Sequence, residues 1–198
     1  MRKDKRLGLS WAAVVVLLLF SQCGSPSYVP KPKAYNRIDL PVAAYQALAS
    51  DTLPYQFEYS AYAHIRPDSS HIAEPTWIHI VYPNFQADIQ ITYKNIAQNP
   101  QYLQEYIDDA HKLTSKHQVK AYSIDETIIR TPLGKTAAVY EIEGDVPSQF
   151  QFYMTDSTNH FLRGAVYFRT STKNDSLAPI IEFLKKDVLQ LINTVTWR

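Results

Sequence analysis

The chain has 198 residues, with 20 Lys+Arg against 19 Asp+Glu and a formal net charge of +1. That balance provides no basic stripe to neutralise phosphates, so nucleic acid is excluded as the expected partner. One cysteine excludes a disulfide framework, and five glycines leave no G-x-G-x-x-G or Walker sequence for a nucleotide.

The chain opens with "MRKDKR" and then runs through "WAAVVVLLLF", ten uncharged and mostly aliphatic residues from Trp11 to Phe20. A basic segment followed by a 7–15-residue apolar run is an export signal, and it is too short to cross a bilayer, which needs about 20 apolar residues. Cys23 follows three residues later, ahead of Gly24, Ser25, Pro26 and Ser27. This layout resembles a bacterial lipoprotein signal, although Gln22 stands where a small residue is usual. Residues 1–22 therefore read as a lipoprotein signal peptide and Cys23 as the lipidation site. A catalytic thiol is disfavoured, because nothing nearby lowers the thiol pKa and a base would have to reach an exposed terminus. Two or more acyl chains anchor a protein stably where one does not. The mature chain would carry 16 basic and 18 acidic residues, close to neutrality.

Residues 23–34 hold three prolines and little periodic apolar content, a stiff tether of roughly 30 Å. Residues 35–198 are expected to form a single α+β domain. Within it, 42–52 reads as a short helix and "LPYQFEYSAYAHI" (53–65) as one alternating strand. Residues 76–83 and 87–94 form a hairpin, and 99–118 a helix with Asn99 as N-cap and Pro100 in its first turn. Four strands follow, at 121–132, 135–145, 148–156 and 160–170. Their links are too short for parallel crossovers, so they predict an antiparallel meander. A long helix over 174–197 carries Leu177, Ile180, Ile181, Leu184, Val188, Leu191, Ile192 and Val195 on one stripe. Antiparallel sheet plus two amphipathic helices gives an arrangement resembling PsbP/Mog1-like domains.

Chemistry is sparse. There is no H-E-x-x-H, C-x-x-C or G-x-S-x-G. His64, His71, Glu74 and His79 form a loose group around one loop, for which ordinary surface roles outweigh a metal site. Asp156, Ser157 and His160 suggest a nucleophilic triad, but "TDSTNH" reads better as a tight hairpin whose Asp and Asn bond their own backbone. Apolar residues on both faces of the later strands fit a sheet covered on each side. An aromatic surface for a partner is the alternative.

The segments "PKPKAYNRIDLP" (30–41), "LPYQFEYSAYA" (53–63), "FYMTDSTNHFLRGAVYF" (152–168) and "NDSLAPIIEFLKKDV" (174–188) are similar to the GldD family of gliding-motility lipoproteins. Ala34 stands where the family pattern has Gly. The resemblance implies an exported, membrane-attached accessory of the gliding and type IX secretion apparatus, with neither catalytic residues nor cofactors. Its partners would be other envelope proteins of that machinery. Candidate contacts are Arg37 and Asp39 in the segment after the tether, and His160, Phe161 and Arg163 in the hairpin. Gly24–Ser27 carry no acidic run of the kind that marks surface display, so a periplasm-facing position is expected. The competing reading is an envelope-ligand or peptidoglycan-binding module with Trp77, Tyr82 and Tyr93 as stacking surfaces.

Overall fold

Strict alternation of large apolar residues with polar ones builds the centre of the protein. The computed structural model describes residues 37–169 and 174–198. Among these, strand β1 is Tyr45–Ala47, β2 Tyr55–Gln56, β3 Glu58–Ser60, β4 His64–Pro67, β5 Ile78–Tyr82 and β6 Ala87–Asn95. Helix α1 follows at Pro100–Ser115, then β7 Ala121–Arg130, β8 Thr136–Gly144, β9 Phe150–Thr155 and β10 His160–Phe168. Helix α2 spans Asn174–Thr194, and β11 is Thr196–Trp197.

Seven strands form one antiparallel sheet in the order β4-β5-β6-β10-β9-β8-β7. The expected meander is its β7–β10 half, and β10 returns to the middle of the sheet beside β6. Period-2 alternation sends Ile89, Ile91 and Tyr93 of β6, Leu162 and Val166 of β10, and Phe152 and Met154 of β9 to one face. There they meet Ile180, Phe183, Leu184, Val188, Leu191 and Ile192 of α2. Burying each such side chain contributes about 1.5–3 kcal/mol. Helix α1 covers part of the opposite face, where Leu103, Tyr106, Ile107 and Ala110 close over Ile96, Phe161 and Tyr153. Its start is as expected: the Asn99 side chain accepts from the Gln101 N–H at 2.9 Å, and Pro100 occupies the first turn.

Three expectations are corrected. Residues 42–52 form no helix. Tyr45–Ala47 instead pairs antiparallel with Glu58–Ser60, because so short a segment cannot meet the cost of helix nucleation while a strand partner lies close. The single strand expected over 53–65 is split into β2, β3 and β4, with Tyr55 and Phe57 both in the core. The last helix ends at Thr194, short of 197. The Thr194 hydroxyl donates back to Gln190 O and accepts from Glu58 N, and Thr196–Trp197 turns into a strand on Tyr55–Gln56. The β-branched run Thr194, Val195, Thr196 favours that exchange of helix for strand.

Candidate functional site

Four groups of residues bear on function. The first lies where the described chain begins. Arg37 Nε donates to Asp39 Oδ1 at 2.8 Å, and both side chains are exposed. Ile38, Asp39, Leu40 and Pro41 form one wall of a groove of about 630 Å³, faced by Tyr62, Tyr82, Asn84, Phe85 and Ile180. The far wall is set by a 3₁₀ turn at Pro83–Phe85, opened by Pro83 and closed by Gln86 in the left-handed region at φ 48°. That turn places the Phe85 ring against Tyr82 at 6.3 Å and edge-on to Phe183 at 5.5 Å.

Behind the groove, the Tyr82 hydroxyl donates to Asp187 Oδ2 at 3.0 Å. Asp187 is 2% exposed, and its Oδ1 and the Ser60 hydroxyl have no hydrogen-bond partner among the described residues. Burial raises the Asp187 pKa, against the opposing effect of the Tyr82, Ser60 and Tyr45 hydroxyls. Burial and the facing carboxylate raise Tyr82 as well. Sequence reasoning passed over Asp187, although a signal existed: it sits three residues after Leu184 and four before Leu191, within the apolar stripe.

The hairpin at 155–160 is a turn, as expected, and not a triad. Asp156 Oδ1 accepts from the backbone N–H of Thr158, Asn159 and His160 at 3.0, 2.9 and 2.9 Å. His160 Nδ1 bonds the Tyr93 hydroxyl at 2.9 Å, and its Nε2 lies 3.9 Å from Asp156 Oδ2. Alternation then sends Phe161 and Arg163 to the α1 side of the sheet. Phe161 is 3% exposed and stacks on Tyr153 at 5.4 Å. Its ring belongs to the smaller core and offers no surface, which corrects its assignment as a contact. Arg163 is half-buried and donates through Nη2 to Gln151 Oε1 at 2.6 Å.

The fourth group surrounds His79, whose Nδ1 lies 2.6 Å from Asp88 Oδ2 and whose Nε2 lies 3.7 Å from Asp68 Oδ2. The carboxylates occupy opposite edges of the ring, so they cannot converge with it on one metal ion. Glu74 pairs with Lys94. Among the described residues no three His, Cys, Asp or Glu gather as a metal site. Tyr82 and Tyr93 are 1% and 6% exposed, so the stacking surface expected of them is corrected to core packing. Trp77 is half-buried, tied through Nε1 to Tyr93 O at 3.1 Å, with Lys94 over its ring. Residues 1–22, Cys23 and the tether at 23–34 lie outside the described residues.

An antiparallel sheet with a helix on each face and a groove walled by residues 38–41 is a domain whose polar groups serve mainly its own architecture. The chain belongs to the family of gliding motility lipoproteins, GldD, which it matches over residues 25–197. It is therefore a lipoprotein related to gliding motility. It is also similar to the solution structure of cyanobacterial PsbP (CyanoP) from Synechocystis sp. PCC 6803, at 8% identity and a TM-score of 0.49. That similarity covers 82% of this chain and 98% of the other. No curated protein matches the chain.

Proposed function

We propose that this chain is a periplasm-facing, non-enzymatic assembly component of the gliding motility and type IX secretion apparatus, held to a membrane by acyl chains on Cys23. The observation that carries this reading is the family match across residues 25–197. The burial of Tyr82 and Tyr93, and the use of Asp156 as an acceptor for its own turn, agree with it. Partner contacts are assigned to the Arg37–Asp39 pair and the groove rim, and to Arg163. The direct test is complementation of a deletion strain. Cys23→Ser should move the chain to the soluble fraction and abolish gliding or secretion, together with its cross-links to other machine components. A soluble Cys23→Ser chain that restores both would overturn the anchored role.

The groove favours a second reading, an envelope-ligand module, because about 630 Å³ lies within the range of small-molecule sites. Purified cell wall that retains the folded chain no better than the denatured chain would remove it.

A further inference from the structure

Among the described residues, the seven-stranded sheet ends at β4 on one side and at β7 on the other. Strand β4 is blunted, with four residues that close on Pro67. Strand β7 is not. It runs ten residues, Ala121–Arg130, with no proline inside it, and Ile128 is 61% exposed.

The register of β8 shows which backbone groups of that edge are free. The Ile142 N–H donates to Gln149 O, so the even residues of β8 bond β9 and the odd ones bond β7. The Thr131 N–H, donating to Lys135 O, agrees from the hairpin end. Opposite the odd residues of β8 stand Asp125, Thr127 and Ile129. The N–H and C=O groups of Ile124, Glu126, Ile128 and Arg130 therefore point away from the sheet. At the other end, the bulge between Ala121 and Ser123 takes Tyr122 out of the regular ladder.

An antiparallel strand can pair with this edge only by matching those outward residues. For two copies of β7, they face one another when a two-fold axis passes through a residue. An axis at Glu126 opposes two carboxylates, and one at Thr127 sets Glu126 against Ile128 and Arg130 against Ile124. An axis at Ile128 lays Ile128 on the partner's Ile128 and sets Glu126 against the partner's Arg130 twice. Opposite charges directly across a ladder stabilise it, and like charges oppose it. The side chains are available for this. Glu126 and Arg130 are both exposed, and Arg130 has no ion pair among the described residues. The Tyr140 hydroxyl donates to Glu126 Oε1 at 3.0 Å and leaves Oε2 for a cation. The same axis brings the Tyr122 end of each strand to the partner's turn after Arg130, where Leu133 is exposed; Tyr122 is exposed as well.

We propose that β7 is the contact of a symmetric homodimer, pairing antiparallel with β7 of a second copy about a two-fold axis at Ile128. The interface is isologous: six outward backbone hydrogen bonds follow from the pairs 126–130, 128–128 and 130–126, and two ion pairs fix the register. Nothing in it depends on the assembly reading above.

The test is sedimentation equilibrium of the full-length chain in density-matched detergent, with circular dichroism to confirm that each variant is folded. Wild type should dimerise reversibly. Glu126→Arg or Arg130→Glu alone should weaken the dimer at least about tenfold, since each turns two opposite-charge pairs into like-charge pairs. An equimolar mixture of those two chains should recover it as a heterodimer, because every charge again meets its opposite. Ile128→Pro should abolish it without unfolding the chain, since the N–H it removes points outward. A wild-type chain that stays monomeric up to about 100 μM would overturn the proposal, as would a dimer indifferent to both charge reversals. A dimer strengthened by Glu126→Gln would move the axis to Glu126 and reject this register. A monomer that captures other envelope proteins, and loses them in Ile128→Pro, would give the edge to a foreign strand instead. None of these readouts uses gliding or secretion, so failure here and failure of the assembly role are separable.

Discussion

The imidazole of His160 lies flat on the indole of Trp197, with 5.0 Å between ring centroids and 2° between planes. The contact joins the hairpin of β10 to the last strand, which itself holds Tyr55–Gln56. Trp197→Ala should therefore destabilise the protein by about 2 kcal/mol, less than a fully buried tryptophan because the ring is only partly covered. Urea denaturation would measure this, and Trp197→Phe should recover about half. An unchanged midpoint for Trp197→Ala would mean that β11 contributes nothing to the fold.

Asp187 should make the protein less stable as pH rises. Its folded pKa lies above the ordinary aspartate value of 3.8. The folded state therefore holds the proton more tightly, so stability is full below 3.8 and declines until the raised pKa is passed. Asp187→Asn keeps an acceptor for Tyr82 and adds donors toward Ser60. At neutral pH it should be more stable than wild type by about 1–2 kcal/mol, with the gap closing in acid. Denaturation at several pH values reads the difference. A gap that grows in acid would show that the sign is wrong.

Asp156 should behave in the opposite way. Burial alone would raise its pKa, but the N–H groups of His160, Thr158 and Asn159 outweigh that and lower it. Its contribution is present above the ordinary carboxylate range and lost as pH falls through the lowered value. Asp156→Ala should cost about 1–2 kcal/mol at pH 7 and little at strongly acid pH. A penalty independent of pH would assign the effect to turn conformation rather than to the carboxylate.

Gly164 is required by close packing. A Cβ at this position would overlap the ring of Phe152, which is 1% exposed in the main core. Gly164→Ala should cost about 1–3 kcal/mol, and Phe152→Leu in the same chain should relieve part of it. Additive losses in the double variant would refute the steric explanation.

The exposed Arg37–Asp39 pair separates stability from docking. Replacing both residues by Ala should leave the thermal midpoint nearly unchanged, since exposed pairs contribute about 0–1 kcal/mol. The same variant should impair gliding or secretion on complementation. Full restoration by a folded, correctly localised double variant would remove this patch from the interface.

Strand alternation and helix stripes made the sheet, both helices and the hairpin turn readable, because Phe150, Phe152 and Met154, or Leu184 and Leu191, carry their burial in their spacing. The small strands were not readable. Tyr45–Ala47 has no pattern of its own and becomes a strand only when Glu58–Ser60 lies beside it. Trp197 was assigned to the helix because its pairing partner lies more than 140 residues earlier in the chain. The site residues divide in the same way. Arg163 and Asp39 could be named from their segments. The buried setting of Asp187, and of a Gln151 amide nitrogen without an acceptor among the described residues, is created by packing between distant elements, which local spacing does not encode.

The two small ladders also determine how the domain bears tension. A pull entering at residue 37 meets β1 first, held to β3 by three residue pairs, and then β2, held to β11 by two. The seven-stranded sheet lies behind both. Under such a load the three-pair β1–β3 ladder opens first, whereas β2 holds longer because Tyr55 and Phe57 beside it are anchored in the main core. Residues 45–47 then act as a mechanical fuse that gives way while the seven-stranded sheet keeps its shape.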